Sequence, residues 1–140
     1  MNKDTAASIH RSALRLVRML RSSGRNGAVF SLLGLLYREG AMTATDAAAE
    51  LRIQPQSLTR LIASMQKDGL ITKRQDAADK RKTMLEISPI GTDTLVKEIG
   101  GQRALLAEII EDKLTETEKQ LLSLAAGLLD RITEEAEKLR

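Results

Sequence analysis

Residues 55–87 read PQSLTRLIASMQKDGLITKRQDAADKRKTMLEI, and the hydrophobic period changes once inside this stretch. Leu58, Leu61, Ile62 and Met65 recur at i, i+3, i+4 and i+7, the spacing of one buried helix face. Pro55 suits the first helical position, where its missing N–H leaves nothing unpaired, and Gly69 suits the C-terminal cap. A helix over 55–68 follows. Beyond it the period drops to two: Ile71, Lys73 and Gln75 alternate with Thr72 and Arg74, and Thr83, Leu85 and Ile87 alternate with Met84 and Glu86. That pattern predicts two short strands over 71–87, joined by the polar, basic tip formed by residues 76–82.

Upstream, Thr43 and Asp46 make a capping-box variant that opens a short helix ending at Leu51, and Arg52-Ile53-Gln54 forms the turn into Pro55. A helix over about 28–38 precedes it; Leu32, Leu33, Leu35 and Leu36 cover much of its circumference, so it is buried on several sides, and Gly40 closes it. The first helix, about 5–22, carries Ile9, Leu16, Val17 and Leu20 on one side and Arg11, Arg15 and Arg18 on the other. Ser22 to Gly24 and the Asn26-Gly27 pair end it. Helix, turn, helix and basic hairpin is the order of a winged helix-turn-helix, in which one helix enters the major groove and the wing touches the backbone or minor groove.

Two long helical patterns follow. Ser88 caps one that begins at Pro89 and runs to about Leu114; Thr115 and Glu118 form a capping box for another running to about Leu139. Gly100-Gly101 costs the first about 2 kcal/mol of helix propensity, so a bend or a close approach by another backbone is expected there. At 1.5 Å per residue this helix is roughly 39 Å long, against a radius of gyration of ~14 Å for a compact chain of this size. The two must project, and the stripe Leu106, Ile109, Ile110, Leu121, Leu124, Leu128 and Ile132 needs a cover. The simplest cover is a second copy packed by two-fold symmetry together with the N-terminal helix; the other is a helical hairpin folding back on the domain. The fold class is therefore mostly α with a small β-wing. One domain spans 1–140, with a winged lobe at 28–88, the helix-turn-helix at about 44–67, the wing at about 71–87, and dimerisation helices at 1–25 and 89–140.

Composition narrows the function. The 140 residues include no cysteine, which excludes disulfides and thiolate metal sites, and a single histidine, His10, which cannot support a histidine-rich metal site. Phe30 and Tyr37 are the only aromatics, too few for a stacking platform that binds single strands. No nucleophile–base pair, metal cluster or Gly-rich phosphate loop after a strand stands out, so an enzyme is not expected and no cofactor is implied. No apolar run is long enough to span a bilayer and no signal-peptide core opens the chain, which points to the cytoplasm. Residues 1–25 hold six cations against one carboxylate and residues 52–82 hold eight against three, whereas residues 92–140 hold seven against eleven. Two basic blocks and an acidic arm suit a phosphate-facing surface kept away from that arm, although charges of this kind also simply solvate helix faces. On the 55–68 helix the side opposite the apolar stripe carries Gln56, Thr59, Arg60, Ser64 and Lys67, hydrogen-bonding groups and cations suited to base edges and phosphates.

These residues resemble the MarR family of bacterial transcriptional regulators, and the resemblance covers nearly the whole chain. Leu51 to Arg60 is similar to the family's turn and recognition-helix start. Leu61 to Met65, followed by Lys67-Asp68-Gly69-Leu70-Ile71, is similar to its exit into the wing, with Met65 where leucine is usual. Asp79-Lys80-Arg81 matches the D-x-R of the family's wing, and Ile87-Ser88 with Gly91 stands where the family has Leu-Thr and a later glycine. The resemblance implies a homodimer on a pseudo-palindromic operator, acting as a repressor that a small phenolic or lipophilic effector releases. It implies that Arg81 enters the minor groove with Asp79 holding its guanidinium, that Gln54, Gln56, Ser57, Thr59, Arg60 and Ser64 face the major groove, and that Lys67, Lys73, Arg74 and Lys82 position the backbone. It places an effector crevice beside Leu16, Val17, Leu36 and Tyr37, residues that core packing explains as well. Without cysteine the peroxide-sensing branch is excluded. The alternative is a winged-helix anti-regulator working through protein contacts; the acidic tail fits it, and the retained Arg60, Asp79 and Arg81 argue against it.

Overall fold

The computed structural model describes residues 2–21 and 25–140. Six helices and one small sheet make up the described residues: α1 (Asn2–Leu20), α2 (Arg25–Glu39), β1 (Met42–Thr43), α3 (Ala44–Leu51), α4 (Pro55–Lys67), β2 (Ile71–Gln75), β3 (Thr83–Ile87), α5 (Pro89–Lys113) and α6 (Glu116–Lys138). The chain divides into two compact units, residues 1–99 and 100–140.

In the first unit the core gathers Leu32, Leu33 and Leu36 of α2, Leu58 and Met65 of α4, Ile71 of β2 and Leu85 of β3, all fully buried. As its leucine-rich circumference predicts, α2 is enclosed on several sides. Asn26 and Gly27, expected in the break before it, instead lie in its first turn. Residues 22–24, assigned to that break, fall outside the described residues. Thr43 caps α3 by accepting the Asp46 N–H at 3.1 Å. The helix at 55–68 ends one residue early, at Lys67: Gly69, at φ 75°, donates to the Gln66 carbonyl at 3.1 Å and Leu70 to that of Met65 at 2.9 Å. These paired bonds satisfy the last carbonyls and turn the chain into the sheet.

The two predicted strands form the wing, antiparallel, with Ile71 opposite Ile87, Lys73 opposite Leu85 and Gln75 opposite Thr83. A third strand, β1, pairs with the other side of β3, giving the order β1-β3-β2. Two residues are too few to show an alternating pattern, which hid β1 in the sequence.

Ser88 joins the recognition helix's exit to α5. Its N–H donates to the Leu70 carbonyl at 3.0 Å, its hydroxyl donates to the Gly69 carbonyl, and its Oγ accepts the Gly91 N–H at 2.9 Å as an N-cap. Gly91 is buried, and a Cβ there would lie 2.1 Å from the Leu70 carbonyl oxygen, so only glycine lets α5 pass this close. At Gly100 and Gly101 the expected bend is not an interruption: α5 continues through both, and the space a Cβ would fill is open.

In the second unit Thr115 and Glu118 complete the capping box that opens α6, with bonds of 3.3 and 2.8 Å. Lys119 reaches Glu111 at 2.9 Å and Glu116 at 3.0 Å, and the two carboxylates hold its ammonium above the ordinary lysine range, Glu111 contributing most. No residue of α6 is buried, although it carries Leu121, Leu122, Leu124, Leu128, Leu129 and Ile132.

Candidate nucleic-acid interface

The spacing that buries Leu58, Ile62 and Met65 forces another line of α4 outward. Gln56, Arg60, Ala63 and Lys67 stand at i, i+4, i+7 and i+11 on that line, and all four are exposed. Ala63 carries no hydrogen-bonding group, so a search for polar residues passes over it; only its position on the ridge marks it. Its small side chain leaves room between the two cations, and a methyl can meet a thymine methyl.

Ser57 and Ser64 flank the ridge on the side nearer α2. With Arg60, Ala28, Ile53 and Leu61 they border an open hollow of about 330 Å³. Ser57 is exposed and Ser64 half-buried. Thr59 lies on the opposite flank, and its hydroxyl donates to the Pro55 carbonyl at 2.9 Å, which leaves its oxygen able to accept. Gln54 is the exposed N-cap of α4 but makes no side-chain cap bond. Pro55 has no N–H, so the amides of Gln56 and Ser57 end the helix's positive pole without a cap from Gln54.

The wing supplies the second surface. Asp79 accepts the backbone N–H of Arg81 at 3.0 Å and its Nε at 3.1 Å, and Nη2 lies 3.5 Å from the other carboxylate oxygen. The guanidinium bond first and the backbone bond second hold the Asp79 carboxyl below the ordinary aspartate range. The Arg81 side chain is nevertheless 92% exposed, so the pair orients the guanidinium without covering it. Arg81 and Lys82 border a hollow of about 440 Å³ with Thr83 and the start of α3 at Thr43 to Asp46. Lys73 is exposed on the sheet face that carries Leu85, and Arg74 on the opposite face pairs with Glu86 at 2.9 Å. Part of Arg74's charge is therefore met inside the sheet, which β-alternation alone does not foretell.

The four residues set beside an effector crevice separate. Leu36 is buried in the core, Tyr37 is 58% exposed, and Leu16 and Val17 are exposed on α1. Neither hollow described above is bordered by any of them.

Residues 23–82 match the sequence profile of the MarR family. Over 137 residues the chain is 30% identical to an uncharacterized HTH-type transcriptional regulator of Mycobacterium leprae (strain TN), with 94% of each protein covered. The chain belongs to the MarR family of transcriptional regulators. Its structure is similar to that of a transcriptional regulator of Pseudomonas aeruginosa PA01, with a TM-score of 0.83 and 25% identity over 96% of this chain and 97% of that one. The HTH-type transcriptional repressor YetL of Bacillus subtilis (strain 168) is 21% identical over 112 residues, covering 79% of this chain and 67% of that protein. As a MarR-family protein with a winged helix, the chain is a DNA-binding regulator and not an enzyme. No helix among the described residues is long and apolar enough to cross a membrane.

Proposed function

We propose that this MarR-family regulator is a cytoplasmic homodimeric repressor that places one α4 in each half of a pseudo-palindromic operator and leaves it when a small phenolic or lipophilic effector binds. The observation that carries the reading is Arg81: a guanidinium held on both edges by Asp79 yet almost wholly open to solvent. A solvated pair of this kind adds little to stability, a median of about 0–1 kcal/mol. Pre-orienting an arginine suits a narrow minor groove, where negative potential is concentrated. Beside it, the Gln56–Arg60–Ala63–Lys67 ridge has the side chains that read a major groove, with Arg60 able to bridge a guanine and Gln56 an adenine. Lys67, Lys73 and Lys82 are exposed cations for the phosphates.

Two copies are supported by α6. Six exposed leucines and isoleucines on a helix without a buried residue form a patch that a chain in water covers. A two-fold dimer matches half-sites one helical turn, roughly 34–36 Å, apart. Repression agrees with the repressor among the chain's relatives. Effector release is supported by the exposed apolar Leu16, Val17 and Tyr37, which a lipophilic molecule could cover.

The test is fluorescence anisotropy on duplex DNA from upstream of the protein's own gene, with a scrambled duplex as control, at several salt concentrations. Tight binding by two protomers, a preference over the scrambled duplex and a steep salt dependence are expected. Weak binding without preference overturns operator recognition and leaves the lobe to a protein partner.

A further inference from the structure

Among the described residues Arg52 is the one non-glycine with a positive φ, at φ 54° and ψ 44°. The conformation is demanded by the turn. The Arg52 N–H donates to the Ala49 carbonyl at 3.3 Å and the Ile53 N–H to that of Ala48 at 3.1 Å, the paired bonds that close a helix through a left-handed residue. Where α2 and α4 end, glycine fills that role: Gly40 at φ 83° and Gly69 at φ 75°. Only α3 stops on an arginine, whose Cβ crowds the next carbonyl as a glycine would not.

Local structure does not account for the choice. A cation near the C-terminus of α3 favours the helix dipole, but any exposed position of the last turn serves that purpose without strain. Asp46 and Glu50 lie on the same helix, yet among the described residues Arg52 joins no ion pair. Ile53 packs against the core while Arg52 and Gln54 are exposed. Two residues of chain span at most about 7 Å, so Arg52 stands within that distance of Gln54, the N-cap of α4.

We propose that Arg52 is a positioning residue of the DNA-bound protein, its guanidinium gripping a phosphate on the rim of the groove that α4 enters. The proposal rests on α4 being the helix that docks. A planar fork of donors matches a phosphate bidentately, which a glycine at this stop cannot supply.

Three variants test it, Arg52→Gly, Arg52→Asn and Arg52→Lys, by thermal unfolding and by anisotropy on the upstream and scrambled duplexes across a salt series. Arg52→Gly relieves the backbone, so its unfolding midpoint rises by about 2–5 °C. The same variant binds both duplexes about 3- to 10-fold more weakly, with a salt slope smaller by about one. Arg52→Asn tolerates the left-handed backbone but lacks the charge, and loses binding to the same degree. Arg52→Lys stays within about threefold of the parent, since a phosphate contact needs the charge first. Gly or Asn variants that bind as tightly as the parent overturn the proposal. A parent that binds both duplexes equally overturns operator recognition instead, and the Arg52 comparison still stands on the salt slopes.

Discussion

At the scale of single residues, the wing is governed by one carboxylate. Asp79 accepts two bonds to one oxygen and a longer one to the other, all from Arg81. Bonds made to the charged form lower a carboxyl's pKa, so the wing pair is fully present above the ordinary aspartate range and is lost as pH falls through the lowered value. Carbon-13 NMR of the Asp79 carboxyl checks this. Arg81→Ala is expected to move its titration up towards that of an ordinary aspartate, and an unchanged titration would mean the pair does not form in solution. The same variant is expected to weaken operator binding about tenfold or more, the loss of one charge-assisted bond worth roughly 1.5–3 kcal/mol, with the dimer intact by ultracentrifugation. Gly91 is the other decisive residue. A methyl placed 2.1 Å from a backbone oxygen cannot be relieved by turning a side chain, so Gly91→Ala must push α5 off the Leu70 turn. The expected cost is about 3 kcal/mol, read by urea unfolding, and a loss under 1 kcal/mol would show that α5 shifts freely.

At the scale of elements, α4 trades stability for exposure at its start. Gln54 is a poor N-cap and forms no cap bond, where serine would accept an amide of the first turn. Gln54→Ser is expected to add about 1 kcal/mol to unfolding stability while weakening operator binding, because the amides it satisfies are those a phosphate would meet. Higher stability with unchanged binding would remove this helix end from the interface. Elements with a strong period were legible before any coordinates: α4 through Leu58, Ile62 and Met65, the wing through its alternation, α6 through Thr115 and Glu118. Those fixed by contacts distant in sequence were not. β1 exists because β3 offers it an edge, and Asn26 and Gly27, turn formers by local preference, are drawn into a helix whose remaining residues are core. In the site, the Asp79–Arg81 pair could be read from a spacing of two. Arg74's partner could not, because Glu86 reaches it only across the strand register.

At the scale of the whole molecule, the unanswered demand is α6. Leu121, Leu124, Leu128 and Ile132 run along it with exposures of 60%, 64%, 46% and 57%, values that belong to a helix waiting for a cover. Side chains of this size each contribute roughly 1.5–3 kcal/mol when fully buried, so covering the four outweighs what an isolated 23-residue helix loses by fraying. A second copy would meet this demand and also present two winged helices to one duplex. Binding at the second half-site then becomes intramolecular, which multiplies affinity without adding a contact. Leu128→Asp places a charge in that face and is expected to yield a monomer by ultracentrifugation. Its operator affinity should fall by about 10² or more, with a salt slope near half the parent's because one lobe's phosphate contacts remain. If the variant fails to fold, the parent still decides the matter: a dimer's thermal midpoint rises with protein concentration, and a midpoint that does not move assigns the apolar face to another partner.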